Sequence, residues 1–194
     1  MSGANSDLVS LSTMAPHTTA LAANAAALER GTPEYYSLQE ALASAAEEFT
    51  MHGGRVVDLS CSGGEWITPM LAKACGVCQF VALDNDQSSV ESCVDRHKML
   101  VHLGLVQAGQ MDLEERFPET ASRLTVSILG LERLSELRKA EVLGLVRKHL
   151  ERGGAFILME RTSVDWEIML RYSGFREVKR IWRKGHFAAW LAIR

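Results

Sequence analysis

The sequence has no apolar run near the roughly 20 residues needed to span a bilayer. Its N-terminus, MSGANSDLVSLSTMAPHTTALAANAAALERG, has no basic stretch leading into an apolar segment. A membrane partner and a secretory leader are therefore not expected, and a soluble, cytoplasmic protein is. An excess of positive charge is missing as well. Lys and Arg number 21 against 24 Asp and Glu, a formal net charge of -3, so nothing drives the chain as a whole onto nucleic acid. The C-terminal segment is the local exception, because Arg171, Arg176, Lys179, Arg180, Arg183 and Lys184 are only lightly offset by Glu177. Such a run reads first as a solvated strand face, and a steep salt dependence of binding would be needed to read it as an RNA-facing surface. Cys61, Cys75, Cys78 and Cys93 come without any sign of export, so thiols are expected rather than disulfides. CGVC at residues 75–78 has the C-x-x-C form of half a zinc site or a redox pair, but no second such pair and no spaced His pair completes it, and Cys75 falls at an expected helix end. No metal is expected, and Cys78, at a strand start, reads as a small buried apolar residue.

There is also no internal repeat and no linker. A chain of 194 residues, 47% hydrophobic and 23% charged, suits one globular domain with a self-sufficient core. Residues 1–17 are small and polar and are expected to be disordered or loosely ordered. HTTALAANAAALERG reads as a short Ala-rich helix stopped by Gly31. PEYYSLQEALASAAEEF reads as an amphipathic helix with Leu38, Leu42, Ala45 and Phe49 on one face. Residues 18–52 are thus a helical preamble to a main domain over 53–194. There strands alternate with helices: RVVDLS, a helix from about Glu65 to Ala74, QFVALDN, a helix from about Ser88 to Val101, LVQAG, an irregular piece around Pro118, LTVSILG, a helix from about Ser135 to Leu150, and GAFILME. Short apolar strands without alternation, separated by helices, predict an α/β fold, a Rossmann-like doubly wound sheet that is mostly parallel. After a brief helical stretch, FREVKRIW, RKG and HFAAWLAIR predict a terminal antiparallel hairpin.

In such a sheet ligands bind beyond the carboxyl ends of the strands, usually over the first strand-turn-helix. That unit here is RVVDLSCSGGEW. Small residues at 60–64 let a backbone approach a ligand, and free N–H groups at the following helix can hold an anion. The turn departs from G-x-G-x-x-G, and a tight connection alone is its other reading. A second residue sharpens it: Asp84 ends the next strand about 20 residues beyond Gly64, where an acid can accept hydrogen bonds from both ribose hydroxyls of a nucleoside. A helix N-cap is the other reading of Asp84, a role Asp86 would fill as well.

With these segments in place, the chain resembles the class I S-adenosylmethionine-dependent methyltransferases over roughly residues 33–194. VVDLSCSGG, VALDND, LTVSILGLERLSE, VRKHLERGGAFILME and the closing hairpin carry the likeness, in order. Within that superfamily, DLSCSGG, ALDND and LERGGAFILMER look most like the carboxy-S-adenosylmethionine synthase group, which acts in tRNA wobble-uridine modification. The resemblance implies the class I methyltransferase fold, S-adenosyl-L-methionine as cofactor and S-adenosyl-L-homocysteine as product. The implied cofactor contacts are Asp58, Ser60, Cys61, Ser62 and Gly64 in the first loop, Asp84 and Asn85 after the second strand, Gln110, Met111 and Asp112 after the third, and Leu129 after the fourth. Residues 18–52 would cap the site. Ser60 and Ser62 stand where the superfamily's usual glycines stand, and a positive φ at Ser60 would strain it. Gly109 stands where an acid usually reads the adenine amino group, with Asp112 or backbone groups left to do so. Only RTSVDWEIMLRYSG separates the fifth strand from the hairpin, where the synthase group carries a long insertion, and this opposes carboxy-S-adenosylmethionine synthesis.

The resemblance implies a methyltransferase whose acceptor is a small molecule, a protein or an RNA. A degenerate cofactor-binding or structural module, and a tRNA-modification protein of the synthase type, are the alternatives, and a homodimer stays open. Methyl transfer from a sulfonium needs an apolar site and alignment, and a base only for a protonated nucleophile. The catalytic candidates are Glu160, His186 and Tyr36. Glu160 could orient a substrate or act as base if burial raised its pKa, or form a structural salt bridge with Arg161 or another cation. His186 reads first as an exposed turn residue, Trp66 as core packing, and Tyr35 and Tyr36 as helix packing or as contacts to the cofactor's methionine end or the substrate.

Overall fold

The computed structural model describes residues 30–74 and 77–194. The expectations for residues 1–17, for most of the Ala-rich helix and for Cys75 lie outside these residues. The first described helix, α1 (Pro33–Thr50), begins with proline at its first position and Thr32 as N-cap, whose side chain accepts a hydrogen bond from the Tyr35 amide. Leu38, Leu42 and Phe49 are buried along one face, as the spacing predicts, each burial contributing about 1.5–3 kcal/mol.

The main domain runs β1 (Gly54–Asp58), α2 (Ile67–Lys73), β2 (Cys78–Asp84), α3 (Gln87–Arg96), α4 (Lys98–His102), β3 (Val106–Gln110), β4 (Ser122–Ile128), α5 (Glu136–His149), β5 (Leu150–Arg161), α6 (Trp166–Tyr172), β6 (Glu177–Lys184) and β7 (Phe187–Ile193). The strands form one sheet in the order β3-β2-β1-β4-β5-β7-β6. β1 to β5 pair in parallel, while β7 is antiparallel to both β5 and β6, so β6 again runs with the parallel set. Strand order reverses at β1, between β2 and β4, and this opens a crevice above their carboxyl ends.

Both faces of the sheet are covered, which is why its central strands read as unbroken apolar runs. Val56, Phe80, Val126 and Ile157 pack against α1 and α2 on one face. Val57, Phe156, Leu158 and Trp190 pack against α5 and α6 on the other. Two helices differ from their predicted extents, and the causes meet at one contact. The helix expected from Glu65 starts at Ile67, behind a 3-10 turn at Ser62–Gly64, because Gly63 (φ 73) and Gly64 (φ 76) adopt left-handed backbone. The helix expected over 88–101 breaks at His97, whose ring Nε2 lies 3.0 Å from the Gly64 carbonyl. A carbonyl can only accept, so Nε2 carries the proton.

Candidate functional site

The turn after β1 is fixed from three sides. The Leu59 amide donates to the Val126 carbonyl (2.9 Å) and the Cys61 amide to the Leu83 carbonyl (2.8 Å), which tie the chain to β4 and β2 in succession. The Ser60 hydroxyl accepts from the Ile128 amide (2.9 Å) and donates to the Ile128 carbonyl (3.1 Å). Ser60 therefore works as a side-chain rung between the turn and the end of β4, a role no glycine could fill. It does not take a positive φ; Ser62 does, at 45°. The conformational cost expected at Ser60 thus falls on Ser62, at about 1 kcal/mol. It is offset by the Ser62 amide donating to Asp84 Oδ2 at 3.0 Å. The other carboxylate oxygen of Asp84 accepts from the Asp86 amide (3.0 Å), and Asp86 caps α3, as expected of it.

Asp58, 1% exposed, holds the turn from beneath, with Oδ1 accepting from the Ser60 amide at 3.0 Å. Its Oδ2 has no partner among the described residues, and burial pushes its pKa up to about 7, with the Asp84 charge adding to the effect. Cys61 is buried, and the adjacent Cys93, together with burial, pushes its thiol pKa up. Gly64 faces α3 rather than the crevice: a Cβ there would meet the His97 ring at 2.8 Å and Cys93 Sγ at 2.9 Å.

Above the turn lies a cavity of about 350 Å³. Of the eleven cofactor contacts implied by the sequence, Ser60, Ser62, Asp84, Asn85, Met111, Asp112 and Leu129 line it. Gln110 lines an adjoining hollow with Asn85 and Asp112, and its amide nitrogen donates to the Asn85 carbonyl at 3.0 Å. Asp58, Cys61 and Gly64 lie behind the turn and support it. Asp112 is on the wall and Gly109 is not. Trp66 is 6% exposed and also lines the cavity, so it serves both core and wall.

The sequence reading missed Glu65 and Arg133, two charged residues of the cavity wall. Glu65 receives Arg30 Nε (2.5 Å) and Nη2 (2.9 Å) and the Tyr35 hydroxyl. Burial works to raise its pKa, but the hydrogen bonds from Arg30 and Tyr35 hold it below the usual carboxylate range. Burial and the Glu65 carboxylate push Tyr35 up to about 12. Tyr35 also packs on Trp66, with ring centroids 5.5 Å apart, so α1 is latched to the cavity wall. No signal in the sequence marked it, since Glu65 follows two glycines and has no local pattern.

None of the three catalytic candidates lines the cavity. Tyr36 is 58% exposed beside Tyr35. His186 is exposed in the β6–β7 turn, its carbonyl accepting from the Thr162 amide. Glu160 is 1% exposed; its Oε1 accepts from the Leu131 amide (2.7 Å) and its Oε2 has no partner among the described residues. Arg161 pairs with Glu132 (2.9 Å), not with Glu160. Burial pushes the Glu160 pKa up to about 8, and the bond to Leu131 steadies the segment that forms the cavity roof. A carboxyl raised from 4.5 contributes stability in full below about pH 4.5 and loses it as pH rises through about 8. Glu160→Gln keeps an acceptor for Leu131 without a titrating proton. Its melting temperature is expected to fall less than that of the unaltered protein between these limits, with a residual slope from Asp58. Parallel falls in the two melting curves would contradict a neutral Glu160.

Among the described residues no group of three or more His, Cys, Asp and Glu could hold a metal ion, and no helix is long and apolar enough to cross a membrane. Sheet order, crevice and turn together define the class I methyltransferase fold. Solved structures agree: a "possible exported protein" from Bordetella parapertussis matches with TM-score 0.70 and 14% identity, over 81% of this chain and 67% of that one. The S-adenosylmethionine-dependent methyltransferase SibL in its apo form matches with TM-score 0.67 and 14% identity, over 85% of this chain and 57% of that one. By sequence the chain is similar to carboxy-S-adenosyl-L-methionine synthases; that of Methylococcus capsulatus is 30% identical over 138 residues, 69% of this chain and 56% of that protein. The chain thus spans little more than half the length of this curated relative. No family model matches the chain.

Proposed function

We propose that the chain binds S-adenosyl-L-methionine in the crevice above β1 and β4 and acts as a methyltransferase on an acceptor small enough to need no large recognition insert. The observation that carries this reading is Asp84, a carboxylate at the carboxyl end of β2 whose two oxygens each accept one backbone N–H. A carboxylate has about four acceptor positions, so both oxygens keep capacity for ribose hydroxyls. This reading assigns Asp112 to the adenine and Ser62 to the sugar and methionine end, and the Tyr35–Glu65 contact ties α1 to the cavity wall. The sulfonium supplies the methyl group, and Trp66, Leu113 and Leu134 give the apolar walls that keep water from it.

A second reading, a cofactor-binding or structural module without catalysis, is favoured by the position of Glu160, His186 and Tyr36 away from the crevice. A third, the carboxy-S-adenosyl-L-methionine synthase type, is favoured by the curated relatives and opposed by the short β5–β6 connection, which holds only the seven-residue α6. Calorimetric titration with S-adenosyl-L-methionine and S-adenosyl-L-homocysteine separates binding from its absence. Micromolar binding of both is expected; binding of neither would move the weight to the structural module.

A further inference from the structure

The basic tail contributes to a second hollow that shares no lining residue with the crevice. It has a volume of about 440 Å³ and lies between the end of β5, the start of α6 and one face of the hairpin. Its cationic side results from a register shift. Arg180 stands opposite Trp190, then Ile181 is extra, so Trp182 stands opposite Ala189 and Arg183 opposite Ala188. In an unbroken strand residues 180 and 183 would point to opposite faces; the bulge puts both guanidinium groups on the face of Trp190. Ile181 and Trp182 pack on the other face, with α1.

Arg180 and Arg183 have no hydrogen-bond or ion-pair partner among the described residues. The two acids of the hollow do. Asp165 Oδ1 accepts from the Ile168 amide at 3.1 Å, capping α6, and Glu167 Oε1 accepts from Arg171 at 3.0 Å. Trp190, 5% exposed, forms an apolar floor, and Ser163 adds a hydroxyl at the rim. Two guanidinium forks beside a low-dielectric wall suit an anion that offers oxygens in more than one direction. A carboxylate is satisfied by one fork, whereas a tetrahedral phosphate can serve two.

We infer that this hollow is a phosphate-binding site, with Arg180 and Arg183 as its anion-holding residues and the Ser163 hydroxyl as a further donor. The phosphate belongs either to a small phosphorylated molecule or to an RNA backbone. The inference is independent of the methyltransferase reading, because the hollow is separate from the crevice.

The test is titration of the full chain with inorganic pyrophosphate and with a short single-stranded RNA, at low and at moderate salt. Arg180→Gln and Arg183→Gln are each expected to weaken binding by about tenfold, as loss of a charge-assisted hydrogen bond would. Arg183→Lys, which keeps the charge but not the fork, should lie between. Lys179→Gln, on the opposite face of β6, should change nothing, and melting curves confirm that each variant is folded. RNA binding much tighter than that of pyrophosphate, with a salt slope reduced by about one per arginine, assigns the phosphate to RNA. Equal binding of the two probes assigns it to a small phosphorylated ligand. Binding of neither probe, or an equal loss with Lys179→Gln, overturns the site.

Discussion

Gly64→Ala should cost the fold roughly 2–4 kcal/mol, a large share of a domain's stability, by combining left-handed backbone strain with overpacking. Read from sequence alone, Gly64 belongs to a cofactor loop whose backbone approaches a ligand, and a larger residue there should abolish binding while sparing the fold. The contacts give the opposite order. A Cβ would stand 2.8 Å from the His97 ring and 2.9 Å from Cys93 Sγ, both on the protein side of the turn. Neither neighbour can retreat cheaply: Cys93 is fully buried, and His97, 7% exposed, bonds the Gly64 carbonyl through its ring. The φ of 76° adds strain for any side chain. Thermal melting of Gly64→Ala, followed by titration of the folded fraction with S-adenosyl-L-homocysteine, checks the assignment. A lowered melting temperature with affinity retained in the folded protein is expected. An unchanged melting temperature with lost affinity would restore the ligand-approach reading.

The same residue shows what the sequence could carry. Strand and helix order was legible because it depends on runs of neighbours: apolar blocks such as Val56–Val57 and Phe156–Met159, separated by helical spacing, announce a sheet covered on both faces. The crevice was legible for the same reason, since the end of β1 and Asp84 are placed by that order. What escaped depends on partners distant in sequence. Ser60 looked like a strained substitute for glycine until its hydroxyl was seen to bridge to Ile128, 68 residues away. Glu65 gains its role from Arg30 and Tyr35, which are 35 and 30 residues away. The bulge at Ile181 leaves no trace in composition, and without it Arg180 and Arg183 would read as residues on opposite faces. Of the candidates for catalysis, Glu160 stands at the end of β5, His186 in the hairpin turn and Tyr36 on α1, and nothing in their spacing says which way each side chain would face.

Asp84→Ala should weaken S-adenosyl-L-methionine binding by about 1.5–3 kcal/mol, or roughly 10- to 150-fold, if the carboxylate accepts ribose hydroxyls. The structure adds a second route to the same loss, because Asp84 also holds the Ser62 and Asp86 amides. Removing the carboxyl group leaves both donors to water, and it removes the bond that offsets the positive φ of Ser62. Asp84→Asn separates the two routes. The amide keeps one carbonyl oxygen for a backbone N–H but turns an NH2 group toward the other, so one of the two turn contacts becomes donor against donor. A carboxylate that only staples the turn would make both variants lose melting temperature and lose affinity in proportion. A carboxylate that also grips the ribose would cost Asp84→Asn more affinity than its change in stability accounts for, since a charged acceptor has become a neutral one. Affinity unchanged in both variants would remove Asp84 from the ligand's contacts altogether. The nucleoside assignment of the crevice would then rest on Asp112 alone, a residue whose Oδ1 already accepts from the Glu114 amide at 2.9 Å.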